Sequence, residues 1–132
     1  MRGSPIVTGE ISARAGARTA EYRNVRYSFK AEFFKVLANP VRIRILDALR
    51  AGPQSVGELR ARLDTEQATV SQHLAILRAR NFVMTERRGT TILYEISDPA
   101  IWKLLDAARE IFNNQLVSVR TALEGLQNET AG

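Results

Sequence analysis

Between Ser55 and Leu77 two short apolar-periodic segments flank a polar interruption, and no other stretch constrains the fold of this chain as tightly. Ser55-Val56-Gly57-Glu58 has the spacing of a capping box, in which a Ser caps a helix start and a Glu three residues on reaches back to it. Val56, Leu59 and Leu63 then form one apolar face of a short helix, and Asp64-Thr65-Glu66-Gln67 breaks that pattern. Val70, Leu74 and Leu77 resume at spacings of four and three, the helical period. This second segment stops at Asn81, a residue that tolerates the left-handed conformation needed after a helix end.

The flanking sequence extends the pattern. Phe29, Phe33, Phe34, Val36 and Leu37 suit a short helix, and Asn39-Pro40 supplies an N-cap followed by proline at the first helical position. Val41, Ile43, Ile45, Leu46 and Leu49 make a largely buried helix ending before Gly52-Pro53. After Asn81, Phe82–Thr85 and Ile92–Ile96 read as two strands, with Arg87-Arg88-Gly89-Thr90-Thr91 as the turn. Asp98-Pro99 caps a last helix whose Leu105, Phe112, Val119 and Leu126 recur every seven residues, and Ile101, Leu104, Ala108, Ile111, Leu116 and Leu123 widen that stripe. A chain of 132 residues has little core to cover so long a stripe, so the expectation is a homodimer built on it. The fold class is therefore mainly α with a small β-hairpin, in three parts: a flexible basic arm over 1–27, a core over 28–98, and a dimerisation helix over 99–128. The arm lacks an apolar period, and its opening Met1-Arg2-Gly3-Ser4 resembles an expression leader.

Charge narrows the function. Nineteen Lys+Arg stand against 14 Asp+Glu, a formal net charge of +5, which suggests an acidic partner such as nucleic acid. Sixteen of the cations are Arg, suited to bidentate phosphate or guanine contacts. Two short helices joined by a tight polar turn are a helix-turn-helix arrangement, whose second helix enters the major groove of DNA. Opposite Val70, Leu74 and Leu77 that helix offers Gln67, Thr69, Ser71, Gln72 and His73, hydrogen-bonding side chains where a merely solvated helix would use Glu and Lys. Arg42 and Arg44 have two readings: stems covering the core rim, or, for Arg42, a phosphate contact from the helix start.

The stretches "FFKVLANPVRIRILDAL", "SVGELRARL", "ATVSQHLAILRARNFV" and "ERRGTTILYEI" resemble, in order, the ArsR/SmtB family of winged helix-turn-helix repressors over about half the chain. The resemblance implies a dimeric winged helix-turn-helix binding an inverted-repeat operator, with recognition helices about one duplex turn, ~34 Å, apart. It implies Gln67, Thr69, Ser71, Gln72 and His73 as groove readers and Arg87 and Arg88 as wing contacts to phosphate or the minor groove. It also implies dimerisation through the first and last helices.

The sequence departs from the family's metal sensors. The stretch Val56-Gly57-Glu58-Leu59 carries no thiol, the chain has no Cys and one His, and the last helix offers only Asp106 and Glu110, expected to be a solvated acidic pair. No metal or cofactor is expected. The expected partners are double-stranded DNA, a second copy of the chain, and a small-molecule inducer between the last and first helices that no motif names. No nucleophile–base pair or phosphate-cradling loop argues for an enzyme. Absent cysteines and the lack of a long apolar run suggest a cytoplasmic protein with no membrane segment. The alternative is a winged-helix protein-interaction module, which an apolar or acidic recognition face would indicate.

Overall fold

Among the described residues, six of the eight elements are helical. A computed structural model describes residues 5–131. The order is α1 (Pro5–Leu37), α2 (Pro40–Ala48), a 3-10 turn (Leu49–Ala51), α3 (Val56–Leu63), α4 (Gln67–Ala79), β1 (Val83–Arg88), β2 (Thr91–Ile96) and α5 (Ala100–Ala131). The chain divides into two units, residues 1–43 and 44–132. No helix among the described residues is long and apolar enough to cross a membrane.

In the first unit α1 corrects an expectation. Residues 5–27, read as an arm, belong to one unbroken helix. Periodicity finds only helices that bury a face, and residues 18–32 are exposed throughout. After Pro5, which the first helical turn tolerates, no proline interrupts the chain until Pro40. Met1-Arg2-Gly3-Ser4, the leader-like stretch, lies outside the described residues. Asn39 separates α1 from α2 as expected, its Oδ1 accepting from Val41 N at 2.9 Å and Arg42 N at 3.2 Å. Arg42 Nε donates to Val36 O at 2.7 Å, so its guanidinium covers a carbonyl at the end of α1.

The second unit is built on a core of Ile45, Leu46, Leu49, Leu59, Leu63, Val70, Leu74, Leu77, Phe82, Val83, Ile96 and Ile101, all under a tenth exposed. The capping box at Ser55 forms: its Oγ accepts from Glu58 N, and Glu58 returns to the Ser55 backbone. Asp64, at φ 49°, reverses the chain between α3 and α4. Arg44 Nη2 and Thr65 Oγ1 both donate to Leu63 O, at 2.6 and 3.1 Å, closing the last turn of α3. Arg44 is thus a clamp on the helix-turn-helix as well as a rim residue.

Asn81, at φ 62°, ends α4 with a Schellman motif: Phe82 N donates to Leu77 O and Asn81 N to Arg78 O. The two positions that such a motif brings together, Leu77 and Phe82, are both buried. β1 and β2 then pair antiparallel from Val83↔Ile96 to Arg88↔Thr91. The hairpin turn is only Gly89-Thr90, with Gly89 at φ 63°. Arg87 and Arg88 therefore lie in β1 and not in the turn, because the ladder continues to the tip.

Gln54, 3% exposed, joins this wing to the helices. Its backbone exchanges both hydrogen bonds with Tyr94 of β2, while its Nε2 donates to Ala48 O at 2.7 Å and Gly52 O at 3.1 Å. The end of α2 and the wing strand are held by one buried amide.

Candidate nucleic-acid interface

α4 presents two chemically distinct sides. Val70, Leu74 and Leu77 are fully buried, which fixes the rotation of the helix. Gln67, Ser71 and Gln72 are then exposed on the outer side. Thr69 and His73 are half-buried on the flank beside the apolar face. The five expected groove readers therefore split into an exposed set of three and a flanking pair.

At 100° per residue, Gln67, Ser71, Ala75 and Arg78 form one line along α4, with Ala68 and Gln72 beside it. Ala68, Ala75 and Arg78 are all exposed and were not among the expected readers. Small residues there let the helix backbone approach a surface closely. The signal for them was the same helical arithmetic, applied to the residues between the polar ones. Glu66 is the N-cap of α4 without a side-chain capping bond, and the first turn itself holds no acidic residue.

The wing carries Arg87 and Arg88 on consecutive strand positions, hence on opposite faces of the hairpin. Arg87 Nε donates to Gly89 O at 3.1 Å, steadying its stem at the tip. Arg88 lies 3.5 Å from Glu86 Oε2 in an ion pair whose side chains are 65% and 52% exposed. Such an exposed pair is weak and leaves Arg88 exchangeable to another anion. Gly89 and Thr90 at the tip are exposed.

Asp106 and Glu110 are both exposed, and Asp106 in addition pairs with Arg50. Arg50 reaches Asp106 with both terminal nitrogens, at 2.8 and 3.4 Å, and Asp47 with Nε at 3.1 Å. The hydrogen bond that Arg50 donates to Asp106, with Asp47 in support, holds its guanidinium above its ordinary pKa. On α5 Leu105 is half-buried, whereas Phe112, Val119 and Leu126 are each more than half exposed, as are Ile111, Leu116 and Leu123. Among the described residues no three His, Cys, Asp or Glu side chains gather to hold a metal ion.

A family model described as a helix-turn-helix domain matches residues 37–86, the span from the end of α1 into β1. The chain is 41% identical over 102 residues to an uncharacterized HTH-type transcriptional regulator of Mycobacterium tuberculosis, covering 76% of this chain and 90% of that one. The crystal structure of that regulator matches with a TM-score of 0.64, over 70% of this chain and 93% of the other, at 42% identity. A biofilm growth-associated repressor of Agrobacterium fabrum is 39% identical over 108 residues, 82% of this chain and 86% of that protein. The homodimeric winged helix-turn-helix DNA-binding domain of a possible ArsR-family regulator from Mycobacterium bovis matches with a TM-score of 0.65 at 26% identity, over 71% of this chain and 87% of that domain. With α4 buried on one side and polar on the other, followed by an arginine-bearing hairpin, the chain belongs to the ArsR-type family of winged helix-turn-helix, DNA-binding transcriptional regulators.

Proposed function

We propose that the chain acts as a homodimer on an inverted-repeat operator and represses transcription there, with α4 reading bases and the wing gripping phosphate. The observation that carries this reading is the exposed stripe of Gln67, Ser71 and Gln72 on a helix whose other side is fully buried. Amides and hydroxyls both donate and accept, which is what base edges in the major groove require. Thr69 and His73, at the margin of that stripe, border the groove and contact backbone or base edges. Arg87 and Arg88 neutralise phosphate.

The second copy of the chain covers α5. Phe112, Leu116, Val119, Leu123 and Leu126 recur at four and three, the spacing of a coiled-coil seam, over about 21 Å of helix. Side chains of this size cost free energy in water, and a two-fold partner presents the same seam in return. With no Cys and one His in the chain, an inducer of this regulator is a small molecule and not a thiophilic metal ion.

Genome-wide mapping of bound DNA supplies the operator, and a salt series then tests the assignment. Gln72→Ala is expected to cost about 1–3 kcal/mol on the operator and little on random duplex. Arg88→Ala is expected to weaken both duplexes alike and to flatten the slope of log affinity against log salt by about one. Equal losses on operator and random DNA for Gln72→Ala would remove α4 as the reading helix.

A further inference from the structure

α1 carries a charged surface that neither the helix-turn-helix nor the wing uses. Arg23, Arg26 and Lys30 lie within about 60° of one another around the helix, over about 10 Å of its axis. Glu21 and Glu32 lie roughly 120–180° from these three, and Arg18 stands outside the basic sector on the acidic side. Lys35, outside the basic sector, is paired with Glu32 at 3.5 Å. Arg23, Arg26 and Lys30 make no ion pair among the described residues.

Two of the three cations are also held in place. Arg26 sits 5.8 Å from the centre of the Tyr22 ring, and Lys30 sits 5.7 Å from that of Tyr27. Both rings are about two-thirds exposed, at 64% and 67%, so they are not core residues. A cation resting on a ring loses less freedom when it later binds an anion. Arg23, Arg26, Tyr27 and Lys30 line a shallow cleft.

We propose that this face of α1 is a second phosphate-binding surface, which grips the DNA backbone in addition to the recognition helix and the wing. It rests on the DNA-binding reading above for its partner and lies N-terminal to the residues that the family model matches. Charge complementarity selects the occupant: a duplex offers one negative charge per ~1.7 Å of its axis, and the face offers three unneutralised cations. Arginine, lysine and tyrosine hydroxyl groups are all common donors to phosphate oxygens.

The test uses the full chain and a random-sequence duplex of about 40 base pairs, which isolates backbone contacts from base reading. Arg23→Gln, Arg26→Gln and Lys30→Gln together are expected to lower the salt slope of binding by about 2–3, at ~0.9 per lost phosphate contact. Helical content and sedimentation should match the parent chain. An unchanged slope, with Arg88→Ala measured alongside still lowering it, overturns this surface and leaves the wing intact. Failure of the parent chain to bind duplex at all overturns both. A change in oligomeric state without a change in slope overturns it in favour of an interface between copies. Capture by phosphatidylserine vesicles, lost in the variant while the DNA slope stays put, overturns it in favour of a membrane. Should the triple variant not fold, lysine acylation of the parent chain decides. Duplex is expected to protect Lys30 several-fold more than Lys35, which stands about 140° around the same helix. Equal reactivity of the two overturns the proposal.

Discussion

The indole nitrogen of Trp102 donates a 2.8 Å hydrogen bond to the carbonyl of Leu46. Leu46 belongs to the last turn of α2, whose final carbonyls have no partner within the helix. Gln54 takes another of these, at Ala48. Trp102 lies at the start of α5, and Arg50 stacks on its ring at 5.8 Å while gripping Asp106. These ties fasten the first two turns of the helix bearing the apolar seam to the DNA-binding core.

Trp102→Phe keeps the apolar body and removes the donor. Leaving the Leu46 carbonyl unsatisfied is expected to cost about 1–3 kcal/mol in urea unfolding followed by circular dichroism. The comparison needs matched protein concentrations, because association raises apparent stability. A loss near zero would mean that water replaces the indole. Asp106→Asn, at an exposed pair, should cost less than about 1 kcal/mol.

Phe112→Asp places a charge in the middle of the α5 seam. An unpaired charge in a buried interface costs several kcal/mol, enough to dissociate a dimer of ordinary affinity. Sedimentation should find monomer, with far-ultraviolet dichroism still helical. A persisting dimer would place the interface elsewhere.

Gly52 and Gly89 separate backbone strain from crowding, because an added Cβ meets nothing within 4 Å at either position. Gly52 has φ 114° and ψ −178°, a region almost confined to glycine, so Gly52→Ala is expected to lose about 2–3 kcal/mol. Gly89, at φ 63°, lies in the left-handed region and should lose about 1–2 kcal/mol as alanine. Thermal unfolding of the two variants should preserve that order.

Zinc, cadmium or arsenite added at one per subunit should leave DNA affinity unchanged in fluorescence anisotropy. The motive is ligand supply: the chain has no thiol and one imidazole, and Asp106 is already engaged by Arg50. Stoichiometric release would reveal an oxygen-ligand site.

Local chemistry made much of this protein legible from its residues alone. The Asn39 cap, the Ser55–Glu58 box and the left-handed Asn81 depend on neighbours a few positions apart, and each forms where the spacing places it. The rotation of α4 follows likewise from Val70, Leu74 and Leu77, since burying them leaves Gln67, Ser71 and Gln72 outside. Tertiary structure decided the rest. α1 has no buried face along residues 18–32, so no period could announce its length. The reach of Arg87 and Arg88 depended on how far the β1–β2 ladder runs, which cross-strand pairing sets. Gln54, an unremarked polar residue in the sequence, became a buried tie because α2 and β2 converge on it from 6 residues before and 40 residues after. Contacts at such separations are products of the assembled core, and no local pattern encodes them.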